Sequence, residues 1–199
     1  MKKPIIGLTG GLGTGKSTVA AMLKDKGARV VDADKIVHHL LSSRNACSRK
    51  VVAAFGKGIL SGSGVDRRKL ADIVFRFPSK RQRLERIVHP FVREEMLREI
   101  ERWEKQKRQR VLVLEVPLLF EAGMDAWVDM IMTVRCAQKA AVERAAKRLN
   151  IPRNEALRRI KAQMPLKEKT RLSDIIINNS MTLGKTKKQV EQAWKNINS

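Results

Sequence analysis

The sequence predicts an α/β protein in which a parallel sheet of about five strands is flanked by helices. Two observations lead to this class. Short apolar runs alternate along the 199 residues with longer segments whose apolar residues recur at helical spacing. The first apolar run also leads through a glycine-rich turn directly into a helical segment. Strands that alternate with helices form parallel sheets covered on both faces, because the helix returns the chain to the start of the next strand.

Five short apolar runs have the composition of buried strands. We predict the strands at residues 5–9, 28–31, 111–116, 130–134 and 175–177. The run at 111–116, with the sequence VLVLEV, is the clearest of them. Together they supply the strands of the predicted sheet.

The predicted helices lie between and after these strands. One begins near Lys16 and ends at Gly27, a plausible C-terminal cap. The segment between the second and third strands is mostly helical, with a glycine-rich break at residues 56–64 and a kink or fresh start at Pro90. Two helices joined at residues 150–152 follow the fourth strand, and a last helix begins near Thr186.

The composition limits the location of the protein and its partners. No run approaches the roughly 20 apolar residues of a membrane-spanning helix, and the N-terminus lacks a signal-peptide pattern, so we expect a soluble, cytoplasmic protein without a membrane partner. Lys and Arg number 42 against 20 acidic residues, a formal charge of +22 that attracts nucleic acids or phosphorylated small molecules. Three Trp, five Phe and no Tyr supply few platforms for stacking nucleic-acid bases. Charge alone therefore leaves the partner open.

A glycine-rich loop follows the first predicted strand. Residues 10–17, GGLGTGKS, satisfy the pattern G-x-x-x-x-G-K-[ST] between a strand and a helix. The glycines let successive backbone N–H groups face one anion, and the following helix adds the positive end of its dipole. Lys16 is expected to reach the β- and γ-phosphates, and Ser17 to ligate Mg²⁺. The residues predicted to bind nucleotide phosphates are Gly11, Leu12, Gly13, Thr14, Gly15, Lys16, Ser17 and Thr18. This motif predicts a P-loop phosphotransferase but does not identify the acceptor.

Acidic residues at two strand ends are candidates for the chemistry. Glu115 ends the third predicted strand and is a candidate for holding the water shell of Mg²⁺, with a solvent-facing carboxylate as the alternative. Asp32 and Asp34 follow the second strand, where ligands of open α/β sheets gather. One of them can orient an acceptor hydroxyl and take its proton while the other caps the next helix. The alternative is that both are caps or turn residues.

Arg144 and Arg148 lie four residues apart on a predicted helix after the fourth strand. Guanidinium groups there can neutralise charge on a transferring phosphate, although in so basic a chain a solvated face is the alternative. The guanine-reading pattern Asn-Lys-x-Asp is missing from the sequence, which favours ATP over GTP.

Several segments, taken in order, resemble the dephospho-coenzyme A kinase family. The matching segments are GLTGGLGTGKST at 7–18, VDAD at 31–34, FG at 55–56, DR at 66–67 with Leu70, IVF at 73–75, HPFVR at 89–93, PLLFE at 117–121 and SDIIINN at 173–179. Many enzymes share the glycine-rich loop, whereas the Asp-Ala-Asp, His-Pro-x-Val-Arg and Pro-Leu-Leu-Phe-Glu segments together are specific. The resemblance covers almost the whole chain.

The resemblance implies that ATP phosphorylates the ribose 3′-hydroxyl of dephospho-coenzyme A, giving coenzyme A and ADP in the last step of coenzyme A biosynthesis. It implies a single kinase domain with a nucleotide core (about 1–40, 108–135 and 166–199), a helical acceptor-binding part (about 60–105) and a lid (about 136–165). Asp34 matches the catalytic base, acting with Lys16 and the lid residue Arg144. Arg148 matches a nucleotide-binding lid residue, and His89 and Arg93 match the acceptor pocket. For His89, packing at a helix start is the alternative.

The sequence departs from the family pattern at a few positions. Glu115 stands where many relatives have Asp, Ala141 where Gln is frequent, and Ser173 where Ala is common. The glycine that is usual just after the Asn179 region is absent, and the residues there are Ser180, Met181 and Thr182. None of these changes removes a group that phosphoryl transfer requires. Two other functions remain open: a P-loop kinase with a nucleoside or nucleotide acceptor, and a nucleic-acid-binding P-loop ATPase. Because no recognition module is evident, we expect no specific nucleic-acid partner.

Overall fold

The computed structural model describes residues 3–62, 64–106 and 109–198. Within this part of the chain the strands are β1 Ile5–Gly10, β2 Arg29–Asp32, β3 Leu60–Ser61, β4 Gly64–Val65, β5 Leu112–Glu115, β6 Met130–Arg135 and β7 Ile175–Asn178. The helices are α1 Lys16–Asp25, α2 Ala33–Ser42, α3 Ala46–Phe55, α4 Arg67–Arg76, α5 Pro78–Glu104, α6 Gln138–Leu149, α7 Arg153–Lys161, α8 Leu166–Arg171 and α9 Leu183–Asn198.

The five strands predicted from the sequence form one sheet, in the order β2-β5-β1-β6-β7. Strand β1 pairs in parallel with β5 and β6, and β6 pairs in parallel with β7. Every residue of β5 is buried, as expected for a strand covered on both faces. The predicted α/β class with a parallel sheet of five strands is confirmed, and each strand end lies within one residue of its prediction.

One face of the sheet is covered by α1 and α9. Their apolar side chains pack with those of the strands into a core that excludes water, which is the main source of stability for such a layer. The buried members include Ile6, Leu8, Val19, Leu23, Val113, Met132, Val134, Ile177, Val190 and Ala193. Because β1 and α1 both contribute to this core, the loop that connects them is held at two ends.

The chain divides into two compact units, Met1–Val31 with Arg102–Ser199, and Asp32–Glu101. The first contains the sheet and α6 to α9, and so includes the segment predicted as a lid. The second contains α2 to α4, most of α5 and the hairpin of β3 and β4, which was not predicted. No helix among the described residues combines the length and the apolar character that crossing a bilayer requires.

Of the two helix breaks predicted at glycine and proline, the one at residues 56–64 occurs and the fresh start at Pro90 does not. Gly56 is the C-cap of α3, with a φ of 86°, so the predicted glycine-rich break begins there. Helix α5 instead runs without interruption through Pro90, so the fresh start considered at that proline is wrong. A proline removes one N–H and favours a kink, but it does not by itself end a helix that packing supports.

Candidate active site

The glycine-rich loop joins β1 to α1. Gly10, Gly13 and Gly15 all have a positive φ, at 144°, 79° and 94°, which a residue with a side chain rarely adopts. Gly15 is also the N-cap residue of α1 and supplies no side-chain cap, so the first N–H groups of α1 are not capped from that position. Such N–H groups, together with the helix dipole, form an anion-binding site.

Three of the loop glycines are required by close packing as well as by conformation, and a Cβ at Gly10 would collide with the backbone carbonyl oxygen of Val134 in β6. A Cβ at Gly13 would collide with the backbone carbonyl oxygen of Ala141 in α6. A Cβ at Gly15 would collide with the side-chain amide of Asn179. The contact at Gly13 places the backbone of α6 directly against the loop at Ala141.

Asn179 supports the loop from the far end of the chain. Its Nδ2 donates to the carbonyl oxygen of Thr14 at 2.9 Å, and its Oδ1 accepts from the Thr186 hydroxyl at 2.9 Å. All three residues are buried. Because a buried carbonyl without a partner is costly, these bonds fix the conformation of the loop at Thr14. Asn179 belongs to the SDIIINN segment, but its role was not predicted.

Lys16 is the first residue of α1, and its ammonium turns back toward the loop. Nζ donates to the carbonyl oxygens of Gly10 at 2.9 Å and Gly11 at 3.1 Å. A lysine ammonium has three donor hydrogens and no acceptor. The structure therefore places the predicted phosphate-binding cation over the curved loop.

Ser17 and Glu115 meet at the start of α1. The Ser17 hydroxyl donates to Glu115 Oε1 at 2.9 Å, and Glu115 is only 6% exposed, so the solvent-facing alternative for this carboxylate is wrong. A hydroxyl and a carboxylate are oxygen donors of the kind that Mg²⁺ prefers. The described residues contain no group of three or more His, Cys, Asp or Glu side chains able to hold a metal.

The two aspartates after β2 have separate positions. Asp32 is the N-cap of α2, and its Oδ1 accepts from the N–H groups of Asp34 at 2.9 Å and Lys35 at 3.2 Å. Asp34 lies in the first turn of α2 and is exposed. The division of roles between a cap and a second carboxylate is therefore compatible with the structure, with Asp32 as the cap.

The other predicted acceptor residues lie on α5 in the second unit. His89 is half-buried and Arg93 is exposed, and a spacing of four residues places them on one helical face. Because α5 begins at Pro78, His89 does not lie at a helix start and that alternative is wrong. The same unit contains a pair that was not predicted, in which Arg67 Nη1 lies 2.8 Å from His38 Nδ1.

The arginines of α6 lie in the first unit, close to the end of β7. Arg144 Nη1 donates to the backbone oxygen of Asn179 at 3.3 Å, so this guanidinium contacts the residue that supports the loop. Arg148 is exposed one turn further along α6.

The departures at Ser173 and Ser180 are accommodated by hydrogen bonds. The Ser173 hydroxyl bonds to Lys169 O and to the Thr133 hydroxyl, both at 2.6 Å. The Ser180 hydroxyl accepts from Ala137 N at 3.1 Å, immediately before α6.

A parallel sheet with this loop after β1, a lysine over the loop and a serine-glutamate pair at its helix defines the chain as a P-loop phosphotransferase. The dephospho-CoA kinase family model matches residues 4–185. A dephospho-CoA kinase of Symbiobacterium thermophilum is 45% identical over 192 residues, 96% of this chain and 80% of the relative. One from Bacillus cereus is 42% identical over 98% of this chain and 97% of its own. The chain belongs to the dephospho-CoA kinase family.

Solved structures agree with this family assignment. The TT1252 protein of Thermus thermophilus has a TM-score of 0.82 and 31% identity, with 98% of each chain covered. Dephospho-CoA kinase from Campylobacter jejuni has a TM-score of 0.71 and 25% identity, covering 99% of this chain and 98% of the other. Shikimate kinase from Bacteroides thetaiotaomicron, at 13% identity and a TM-score of 0.54, shares the fold.

Proposed function

We propose that this protein transfers the γ-phosphoryl group of ATP to the ribose 3′-hydroxyl of dephospho-coenzyme A, giving coenzyme A and ADP. The observation that carries the proposal is the family match over residues 4–185, which includes the complete phosphate loop together with Asp34, His89 and Arg93. A different small-molecule acceptor is not favoured, because the family and its named relatives share one substrate.

The phosphate loop and Lys16 hold the nucleotide in this proposal. Backbone N–H groups of the loop and of the start of α1 bind phosphate oxygens, and the Lys16 ammonium exchanges its carbonyl partners for the β- and γ-phosphates. Direct phosphoryl transfer requires no covalent intermediate with the protein. Positioning of the reactants and stabilisation of charge therefore account for most of the rate acceleration. Arg144 and Arg148 of α6 add positive charge for the group in transfer.

Ser17 and Glu115 are the residues that would hold Mg²⁺. The metal would neutralise charge on the β- and γ-phosphates. Glu115 keeps the Ser17 hydroxyl oriented, since that hydroxyl donates to its carboxylate at 2.9 Å and thereby presents its lone pairs elsewhere.

Asp34, His89 and Arg93 serve the acceptor in this proposal. Asp34 accepts the proton of the 3′-hydroxyl as the oxygen attacks the γ-phosphorus. His89 and Arg93 bind the acceptor, and the Arg93 guanidinium suits a phosphate-bearing molecule. A cytoplasmic location and the lack of a specific nucleic-acid partner stay predictions from the sequence.

Release of ADP from Mg-ATP tests the function. We expect strong stimulation by dephospho-coenzyme A, none by adenosine, AMP or single-stranded DNA, and the appearance of coenzyme A by mass spectrometry. A Lys16→Met preparation purified in the same way controls for contaminating kinases. Turnover with adenosine or AMP in place of dephospho-coenzyme A, or ATP hydrolysis stimulated by DNA, would overturn the proposal.

A further inference from the structure

A glutamine side chain from outside the glycine-rich motif is bonded to the phosphate loop. Gln163 lies in the short connection between α7 and α8, and its Oε1 accepts from the backbone N–H of Leu12 at 3.0 Å. The two residues are 151 positions apart in the sequence. Gln163 is half-buried, so the contact is partly shielded from water.

This bond orients the whole amide group. Since the Leu12 N–H is a donor, the oxygen of the Gln163 amide faces the loop and the nitrogen takes the remaining position. Both atoms are bonded to one carbon, so Nε2 must lie within a few ångströms of Leu12. Among the described residues only the Leu12 bond involves the Gln163 side chain, which leaves the two Nε2 hydrogens for a ligand.

The position of Gln163 relative to Lys16 indicates which ligand atoms the amide meets. The Lys16 ammonium bonds to the carbonyl oxygen of Gly11, and Gln163 bonds to the N–H of the adjacent residue, Leu12. These are the two ends of one peptide group, whose C=O and N–H point in opposite directions in the trans form, so the ammonium and the amide flank this group from opposite sides. The lysine of such a loop serves the β- and γ-phosphates, so the Gln163 amide borders the part of the loop on which these phosphates would lie.

An ion pair between a buried lysine and a partly exposed glutamate holds the segment that carries Gln163. The N–H of the next residue, Met164, donates to Glu121 Oε1 at 2.8 Å, and that carboxylate pairs with Lys169 Nζ at 3.0 Å. Lys169 is fully buried and also donates to Pro117 O at 2.7 Å. Burial lowers the pKa of the Lys169 ammonium, and its hydrogen bond and charge interaction with Glu121 oppose that shift. An amide attached to such an anchored segment loses little further freedom when it binds a ligand.

We propose that Gln163 is a further nucleotide-binding residue: its amide oxygen fixes Leu12, and its amide nitrogen donates a hydrogen bond to the terminal phosphate of bound ATP. Glu121 and Lys169 hold the segment that carries Gln163. The proposal rests on the proposed kinase function, because it assumes that ATP is the nucleotide in the loop. It accounts for a polar side chain that reaches the loop without belonging to the motif.

Two substitutions at Gln163 distinguish the role of the amide oxygen from that of the amide nitrogen. Gln163→Glu keeps an oxygen for the Leu12 N–H but loses both amide hydrogens and adds a negative charge near the phosphates. Gln163→Met has a similar length and loses both functions. If Gln163 only supports the loop, Gln163→Glu should bind the ATP analogue more tightly than Gln163→Met does. If Gln163 also donates to the phosphate, Gln163→Glu should bind the analogue more weakly than Gln163→Met does.

The test compares the binding of ADP with that of a non-hydrolysable ATP analogue by titration calorimetry, in the presence of Mg²⁺. We expect both variants to weaken binding of the ATP analogue by about 10- to 100-fold, with the larger loss in Gln163→Glu. Gln163→Glu keeps the acceptor for Leu12 and should bind ADP within a few-fold of the wild type, because ADP lacks the terminal phosphate. Gln192→Glu, an exposed glutamine of α9, is the matched charge control and should bind both nucleotides as the wild type does.

Two results would overturn the proposal. They are wild-type binding of the ATP analogue by Gln163→Glu, and equal weakening of ADP and the ATP analogue by Gln163→Glu. A thermal melt of each variant identifies any loss of folding, and Gln163→Glu remains informative if Gln163→Met unfolds, because it retains the acceptor for Leu12. Since these titrations contain no acceptor, a wild-type protein that binds ATP but fails to phosphorylate dephospho-coenzyme A would refute the proposed function without deciding this inference.

Discussion

The candidate site residues of the two units are held in different ways. In the first unit, the loop at Leu12 to Gly15 is contacted by Gln163, Ala141 and Asn179, which come from three separate parts of the chain. In the second unit, Asp34 and Arg93 are exposed residues of α2 and α5. The predicted nucleotide-binding loop is therefore part of the packed fold of the first unit, and substitutions there should affect binding and stability together. Substitutions of the proposed acceptor-binding residues of the second unit should change kinetics more than stability.

Loss of the Lys16 charge should give the largest effect on activity. Lys16→Met removes the cation that we propose binds the β- and γ-phosphates, so we expect kcat to fall by about 10³-fold or more. Steady-state ADP release at saturating ATP measures it, and Lys24→Met, an exposed lysine in the last turn of α1, is the control. A loss below tenfold would show that Lys16 is not the main phosphate cation.

Substitution of Asn179 tests whether binding and stability are coupled in the first unit. Asn179→Leu removes the side-chain donor to the buried Thr14 carbonyl and leaves the Thr186 hydroxyl only its longer bond to Thr182 O, so we expect a loss of about 2–3 kcal/mol in the free energy of unfolding and weaker ATP binding. Urea unfolding with and without ATP measures both. If ATP binding weakened while stability stayed at the wild-type value, the loop would not depend on the packed fold in the way described.

Substitution of Arg93 tests the opposite expectation for the second unit. Arg93→Ala should raise the KM for dephospho-coenzyme A by about tenfold through loss of a charge-assisted hydrogen bond, with the KM for ATP and the melting temperature unchanged. Arg83→Ala, another exposed arginine of α5, is the matched control. An equal rise in both KM values would remove Arg93 from the acceptor pocket.

The alkylation rates of the two cysteines report on the two units separately, and the change in these rates when ATP is added should be the smallest of the predicted effects. Cys136 lies in the first unit and Cys47 in the second; burial raises the pKa of both thiols, and Arg144 and Lys50 respectively oppose the shift. Alkylation should therefore be slow at neutral pH and faster as the pH rises through the raised pKa values. Saturating ATP should slow alkylation of Cys136 by a few-fold relative to Cys47, because a ligand stabilises the part of the protein that binds it. Mass spectrometry of the labelled peptides measures the ratio, and equal protection of both thiols would contradict it.

Local sequence patterns predicted the sheet and the loop because these features depend on neighbouring residues. Apolar runs identified all five strands of the sheet, and the glycine spacing identified the loop between β1 and α1. The hairpin of β3 and β4 was missed because two-residue strands carry no measurable periodicity. The roles of Asn179 and Gln163 were missed for another reason: they bond to loop residues 165 and 151 positions away, and no local pattern encodes such a pairing.

The division of work between the two units is tested most directly by Asp34→Asn, measured for both ATP affinity and turnover. If Asp34 takes the proton of the acceptor hydroxyl, kcat should fall by about 10²- to 10⁴-fold while the Kd for ATP stays at the wild-type value. Asp32→Asn is the matched control, because asparagine also caps helices and the cap of α2 should persist with near-normal turnover. A parallel loss of ATP affinity and turnover in Asp34→Asn, or normal turnover, would contradict the account.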